Sequence, residues 1–413
     1  MIENLKETHE RLLDIESSRL LLEEDGIASI TFYQGNLKSA IEKLKQRAAK
    51  VVQANPWLVG RLVRDKRKDK NVQLVFPQDA SAKELVDLMF HPSPASVQVG
   101  SNMPYKQLYQ ASESAVIKKG IKSINQTDVI SRLTIVPDRD NEQGFVLIFS
   151  ISHIAADGYT YYKIFNSLFS ENPIEKLRPK RHLHADKAIR TAVGEKQYDY
   201  LFSPAFILNA IKGALFGQKA KCLAYYLDTD KIADAKSKVI KKNSKINFVS
   251  TNDIITSSFI KTTQARLSMT AINLRNRVDN ISPEDAGNYE AALLFDHKVG
   301  ASPEGIRETI LNGPDFKPTV EPLPNFFTGL TCNVCIVTNW AGFTGNLLIQ
   351  GCEQQLHLPL HATNLMPFDC AIIFEAKPEE LAMLVFAKRV SNDALESGCE
   401  VGQPVSNKIF NNK

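Results

Sequence analysis

A histidine, an aspartate and a glycine at fixed spacing could carry chemistry in this sequence. His153, Asp157 and Gly158 follow the apolar run Ile148–Ile151. An imidazole ordinarily titrates near neutrality, so it can accept a proton from a substrate at physiological pH. Asp157 could fix the local backbone by pairing with a distant cation, or it could be an ordinary helix N-cap. Gly158 permits a tight turn. The spacing therefore makes His153 a candidate general base.

The elements around this histidine are predicted from hydrophobic patterning. Val129–Val136 and Phe145–Ile151 are rich in β-branched and apolar residues and are joined by the polar segment Pro137–Gly144, which is typical of a β-hairpin. Aromatic residues at helical spacing predict a helix over Tyr159–Phe169. His153 is thus expected where a strand ends, a place where loops and cavities form. This context favours a catalytic histidine over a structural one.

Other elements follow from the same patterns. The N-terminal half is predicted to hold an amphipathic helix over Met1–Asp25, a strand over Ile27–Tyr33 and a helix over Asn36–Gln53. The expected elements of the C-terminal half are the helices Thr229–Lys242 and Asn252–Arg266, the strands Ser268–Leu274, Leu330–Asn339 and Gly345–Leu348, and a hairpin of Asp369–Glu375 with Met383–Lys388. The alternation of strands and helices predicts an α/β protein.

Composition limits the class of protein. With 413 residues, 43% of them hydrophobic, the chain is long enough for two domains. A net charge of +4 gives no argument for nucleic-acid binding, and the charged N-terminus shows no secretory signal, so we expect a cytoplasmic protein. Pro204–Phe216 is apolar but too short to span a bilayer. We interpret it as a packed helix, with an acyl-channel lining or a membrane contact as alternatives.

The six cysteines are irregularly spaced, which argues against a disulfide framework. Cys332 and Cys335 form a C-x-x-C within a predicted strand, where their side chains would face opposite sides, and no second ligand pair completes a zinc site. We expect buried thiols there and no metal. The sequence also lacks the G-x-S-x-G, P-loop and H-E-x-x-H motifs.

Taken together, these residues resemble the chloramphenicol acetyltransferase-like superfamily, which includes BAHD acyltransferases, alcohol acyltransferases and peptide-synthetase condensation domains. His153, Asp157 and Gly158 match its H-x-x-x-D-G motif. Further similar segments, in the family's order, are Leu37–Leu62, Ser250–Ile260, Ile272–Val278 with Gly287-Asn288-Tyr289, and Val337–Phe343.

The resemblance implies two α/β halves of mixed sheets flanked by helices, arranged as a pseudo-dimer with a channel between them. Residues 1–175 would form the half with the motif, 176–220 a crossover, and 221–413 the second half. It also implies an acyltransferase of secondary metabolism, monomeric and without a bound cofactor or stable membrane insertion. Its co-substrates would be acyl-CoA, or the phosphopantetheine thioester of an acyl carrier protein, and a small-molecule alcohol or amine.

Roles for individual residues also come from the resemblance. His153 would be the general base, and Asp157 and Gly158 would be structural. Asp157 would pair with Arg275, or else with Arg277. Thr338 would donate to the oxyanion, unless it is an ordinary strand threonine, with Asn339 as the alternative because neighbouring strand residues face opposite sides.

Two departures leave the subfamily open. Ser152 stands where condensation domains usually carry a second histidine, and the D-F-G-W-G motif of BAHD enzymes is not found. The alternatives are therefore a free-standing condensation-type synthase that uses a carrier-bound donor, and a non-catalytic binding member of the family.

Overall fold

The structure is a computed structural model that describes residues 6–65, 67, 69–78, 81–242, 247–311, 313, 316, 320, 322–345, 347–363 and 366–410. Its backbone divides into two compact units. Unit 1 comprises residues 1–186, 280–289 and 343–361, and unit 2 comprises 187–279, 290–342 and 362–413. Each unit is therefore assembled from three separate stretches of the chain.

Strands are numbered in chain order. They are β1 Glu7–Arg11, β2 Ile27–Gly35, β3 Arg61–Val63, β4 Gln73–Pro77, β5 Phe90–Pro92, β6 Ser131–Pro137, β7 Gly144–Ile151, β8 Lys221–Leu227, β9 Leu267–Asn273, β10 Glu290–Asp296, β11 Val334–Asn339, β12 Cys352–Pro359, β13 Asp369–Lys377, β14 Glu380–Ala387 and β15 Val401–Pro404.

The α-helices are α1 Arg19–Leu22, α2 Leu37–Ala54, α3 Ala82–Met89, α4 Tyr105–Ser112, α5 Gly120–Ser123, α6 Gly158–Leu168, α7 Ala185–Ala192, α8 Glu195–Tyr200, α9 Pro204–Phe216, α10 Thr229–Lys242, α11 Thr251–Thr263, α12 His297–Gly300, α13 Pro303–Leu311, α14 Phe326–Gly329 and α15 Asn392–Gly398. None of the described helices is both long and apolar enough to cross a bilayer.

Each unit is built on a mixed sheet. Unit 1 has a five-stranded sheet in the order β12-β2-β7-β6-β5, antiparallel except for the parallel β5–β6 pair, and a small sheet β1-β4-β3. Unit 2 has a seven-stranded sheet in the order β10-β9-β11-β13-β14-β8-β15, in which β11 runs parallel to both β9 and β13. The predicted α/β class with mixed sheets and flanking helices is confirmed.

The elements that flank the motif are also confirmed. β6 and β7 form the predicted hairpin, with Ser131 opposite Ile151 at its open end. All eight residues of β7 are buried, which matches its continuous apolar run. The next helix, α6, begins at Gly158, where the carboxylate of Asp157 caps it by accepting the Thr160 backbone N–H at 2.8 Å.

Two predicted elements are wrong. Instead of one helix over Met1–Asp25, residues Glu7–Arg11 form β1, because the backbone of β4 supplies hydrogen-bond partners that an amphipathic pattern cannot reveal. Of the strand predicted over Gly345–Leu348, residue 346 lies outside the described residues, and the other three residues are not in a strand; the Leu348 backbone N–H bonds instead to the carbonyl of Phe169. In both places non-local backbone pairing overrides the local sequence preference.

The C-x-x-C cysteines are buried, as predicted, although Cys332 precedes β11 instead of lying within it. Burial raises the pKa of the Cys335 thiol to about 12, which keeps it protonated and unreactive. Among the described residues, no group of three or more His, Cys, Asp or Glu could hold a metal ion.

Candidate active site

The candidate base lies just beyond a fully buried strand. β7 ends at Ile151, and the backbone then turns, with the Ala155 N–H donating to the Ser152 carbonyl at 3.0 Å. His153 is partly exposed, whereas Ser152, Ile154 and Ala155 are buried. The turn therefore carries a single imidazole outward from the core of unit 1.

Asn288 orients that imidazole. Its side-chain Nδ2 donates to the backbone carbonyl of His153 at 2.8 Å and to the Glu16 carboxylate at 3.1 Å. Since both of these partners are acceptors, the amide nitrogen must face them, and the amide oxygen faces the ring. Oδ1 of Asn288 lies 3.2 Å from Nδ1 of His153. An acceptor at that distance favours the tautomer with its proton on Nδ1, which leaves Nε2 free to accept a proton.

A buried ion pair between Glu16 and Arg181 holds Asn288 in place. Glu16 and Arg181 have fully buried side chains, and the carboxylate accepts from the Arg181 Nε at 2.9 Å. Glu16 also accepts the backbone N–H groups of Asn288 at 2.9 Å and Leu13 at 2.8 Å. Burial opposes the charge of Arg181, but the attraction and hydrogen bonding of Glu16, with smaller contributions from Tyr289 and Asp157, together outweigh it, so the pKa of Arg181 lies above the usual value. The Arg181 guanidinium therefore remains charged.

The Arg181 guanidinium also links the motif turn to the segment that carries Asn288. Nη2 donates to the carbonyl of Ala155 at 2.9 Å, and Nη1 donates to that of Ala286 at 2.8 Å. Gly287 follows with φ +135°, and a Cβ there would lie 2.7 Å from the Arg181 Nε. Both the backbone conformation and the close approach of the guanidinium require glycine at this position.

Asp157 also contacts the segment that carries Asn288. Its side chain is buried, and Oδ2 accepts the Tyr289 backbone N–H at 3.0 Å while Oδ1 caps α6. The Asp157 backbone N–H donates to the carbonyl of Gly287 at 3.3 Å. Asp157 thus fixes the backbone on both sides of Asn288, and through Asn288 it influences the orientation of His153.

The remaining predicted residues lie in unit 2. Thr338 and Asn339 end β11 and are partly exposed, opposite Ile372 and Ile373 of β13. The Asn339 amide is occupied at both ends, because Nδ2 donates to the Asn252 side chain at 2.9 Å and Oδ1 accepts the Ala341 N–H at 3.0 Å. The assignment of Thr338 as oxyanion donor, with Asn339 as the alternative, stays a prediction.

Arg275 follows β9 and is buried. Its backbone N–H and its Nη1 both donate to the Asn273 side-chain oxygen at 3.1 Å. The pairing of Arg275 with Asp157 stays a prediction.

Three residues of this site were not identified from the sequence. Asn288 falls in a segment that carried the family resemblance, but no role was assigned to it. Glu16 lies in a turn where a helix was predicted, and Arg181 lies in the expected crossover. A glycine followed by asparagine was the one visible signal, since glycine marks positions of close backbone approach.

A cleft of about 810 Å³ in unit 1 lies elsewhere, beside the N-terminus of α2. Its lining includes Asn36, Glu142 and Cys352 but not His153 or Asn288. Since the candidate base His153 does not face it, we do not assign catalysis to this cleft.

Comparison with known proteins supports the fold assignment. The sequence matches no protein-family model and no curated protein sequence. Solved structures do match over nearly the whole chain. TRI101 of F. graminearum, complexed with coenzyme A and deoxynivalenol, superposes with a TM-score of 0.62 at 12% identity, covering 97% of this chain and 100% of that one. The chain has the chloramphenicol acetyltransferase-like fold.

Other structures of this fold match similarly. TRI3 trichothecene 15-O-acetyltransferase from Fusarium sporotrichioides gives a TM-score of 0.61 at 10% identity, covering 95% of this chain and 93% of that one. The first condensation domain of the CDA synthetase gives 0.54 at 11% identity, covering 94% and 93%. At such identities the likeness establishes the chloramphenicol acetyltransferase-like fold and nothing finer.

Proposed function

We propose that this chain is an acyltransferase that moves an acyl group from acyl-CoA to the hydroxyl or amine of a small molecule, with His153 as general base. The observation that carries the proposal is the contact between Asn288 Oδ1 and His153 Nδ1 at 3.2 Å. It favours the tautomer in which Nε2 can take a proton. The coenzyme A bound to TRI101, a protein of the same fold, supports acyl-CoA as the donor.

The proposed reaction needs no covalent acyl-enzyme. Nε2 of His153 removes the acceptor's proton as its oxygen or nitrogen attacks the thioester carbonyl. The tetrahedral intermediate collapses with cleavage of the carbon–sulfur bond, and the imidazolium returns the proton to the departing thiolate. Holding both substrates in line supplies the proximity that the step requires.

The oxyanion of that intermediate needs a hydrogen-bond donor. We assign this role to Thr338, because Asn339 is already hydrogen-bonded within unit 2. One well-placed donor typically contributes about 3 kcal/mol to transition-state stabilisation. Asp157 is proposed to pair with Arg275, which would add a second tie to the turn that carries the base.

The test is a panel of acyl-CoA esters incubated with candidate alcohols and amines while release of the free thiol is followed. His153→Ala should lower kcat by about 10²- to 10⁴-fold, the usual range for loss of a general base. His184→Ala is the matched control. Because His184 is exposed, its replacement should leave kcat unchanged. Thr338→Val should lower kcat by about 10²- to 10³-fold with little change in KM.

Two outcomes would contradict the proposal. Turnover with carrier-bound acyl groups but no thiol release from any CoA ester would establish a condensation-type enzyme. Equal activity of the wild type and His153→Ala would show that His153 is not the general base.

Asn288→Leu separates positioning from catalysis. It should lower kcat without altering KM, with a ceiling of about 10⁴-fold, the loss that follows when a catalytic imidazole is left in the wrong tautomer. Histidine NMR of the same variant should report a change of ring tautomer at His153. A kcat equal to that of the wild type would show that Asn288 only packs.

A further inference from the structure

Helix α9 exposes a continuous apolar stripe. Ile207, Leu208, Ile211 and Leu215 recur at spacings of one, three and four residues, which places them along one side of the helix. Leu215 is 61% exposed, and Phe216 at the end of the helix is 82% exposed. A helix that is apolar on all sides is normally buried, so an exposed stripe of this kind requires an explanation.

The opposite side of α9 is firmly attached to unit 2. Phe206 and Asn209 are buried, and the Asn209 amide donates to the carbonyl of Cys332 at 2.9 Å. Gly213 lies so close to the backbone of Pro367 that a Cβ would approach its carbonyl oxygen to 2.2 Å. The Lys388 ammonium then caps the Gly213 carbonyl at 2.5 Å. The helix is therefore held in place with its apolar stripe facing solvent.

The charged residues of the segment that carries the stripe all have one sign. Between Tyr200 and Leu227 the sequence contains no Asp or Glu, and it contains Lys212, Lys219 and Lys221, all exposed. The short helix α14 packs beside α9 and adds the exposed rings of Phe326 and Phe327. An apolar surface bordered by lysines is complementary to a partner that is apolar within and anionic at its surface.

The size of the stripe argues against a second copy of this chain. At roughly 150–200 Å² per large side chain, the exposed fractions on α9 amount to about 500 Å² of apolar surface. A stable dimer buries about 800 Å² on each partner.

We propose that α9 docks this protein on the surface of a bilayer that contains anionic lipids. A helix of 13 residues is about 20 Å long, too short to cross a hydrocarbon core but suited to lying in the interface. Leu215 and Phe216 enter the acyl region, and Lys212, Lys219 and Lys221 contact the headgroups. The proposal does not depend on acyl transfer, since it concerns binding alone.

Vesicle flotation with the full-length protein tests the proposal. The wild type should float with phosphatidylcholine vesicles that contain about 30% phosphatidylserine, and less well with pure phosphatidylcholine or in about 0.5 M NaCl. The double variant Leu215→Asp with Phe216→Asp should bind at least about 10-fold more weakly. Leu348→Asp is the matched control, because Leu348 is a 65% exposed leucine of unit 1. Thermal melting should show that both variants fold.

Three outcomes would overturn the proposal. The first is wild-type protein that does not float with anionic vesicles. The second is unchanged flotation of the folded double variant. The third is a wild-type dimer, detected by light scattering, that becomes a monomer in the double variant. A second copy of the chain would then cover the stripe.

Discussion

The buried histidine of β12 should make the free energy of unfolding of unit 1 fall as the pH is lowered. His357 is fully buried, with its Nδ1 2.8 Å from the Thr31 hydroxyl and its Nε2 3.1 Å from the Tyr162 hydroxyl. Both partners are neutral, and either hydroxyl can donate or accept, so the neutral ring is fully satisfied. Burial lowers the pKa of His357 to about 3. The folded protein therefore holds this ring uncharged between about pH 4 and neutrality.

The size of the effect follows from the two states. In the unfolded chain the pKa of the His357 imidazole is about 6.5, whereas in the folded protein it is about 3. Between these values the unfolded state binds one proton more, so the free energy of unfolding falls as the pH is lowered. At about 1.4 kcal/mol per pH unit, acidification from neutrality to pH 4.5 should cost about 3 kcal/mol through this residue alone.

Urea unfolding of the wild type and His357→Gln, at pH 7.5, 5.5 and about 4.5, measures this contribution. Glutamine keeps a donor and an acceptor for the two hydroxyls but does not titrate, so any change that it makes in the free energy of unfolding is the same at every pH. The carboxylates titrate in both proteins and cancel in the difference. The wild type should therefore lose about 3 kcal/mol more than the variant across this range.

Two results would refute this reasoning. One is a free energy of unfolding that changes with pH equally in the wild type and in His357→Gln, which would mean that His357 does not take up a proton on unfolding. The other is a histidine NMR signal, assigned to His357, that titrates in the folded protein near its ordinary pKa. The NMR titration needs only the wild type, so it remains decisive if His357→Gln does not fold.

Two further predictions concern the support of His153. Gly287→Ala should destabilise unit 1 by about 1–3 kcal/mol in urea unfolding, because alanine is strained at φ +135° and its Cβ would meet the Arg181 Nε at 2.7 Å; an unchanged midpoint would contradict this. Glu16→Gln should cost about 3–5 kcal/mol by the same measurement, because it leaves the Arg181 guanidinium buried without its counter-charge. A loss below about 1 kcal/mol would show that water or a rearranged side chain replaces the carboxylate.

Local patterns predicted the parts of this fold that are local. The hairpin of β6 and β7, and the helices α2 and α6, follow from apolar spacing within some 20 residues, and each forms where expected. β1 could not be predicted in this way. Its sequence, Glu7–Arg11, carries charges and no apolar alternation, and it is a strand because it pairs with β4 some 65 positions away.

The candidate site shows the same limit. His153 and Asp157 were identified because their spacing is short and fixed. Asn288 lies 135 positions from His153, and Glu16 lies 272 positions from Asn288. No periodicity in the sequence connects such residues. A single glutamate that is buried looks, in the sequence, the same as one that is exposed. Contacts between residues so far apart in the sequence can be identified only in the folded structure.

The buried pair of Glu16 and Arg181 is hard to explain by stability. Removing two charges from water costs about as much as their attraction returns, so apolar residues of similar volume would often serve stability equally well. Orientation gives a better account. Glu16 accepts from both the backbone and the side chain of Asn288, which leaves one arrangement of that amide. The arrangement places an acceptor against Nδ1 of His153 and so determines which ring nitrogen faces a substrate.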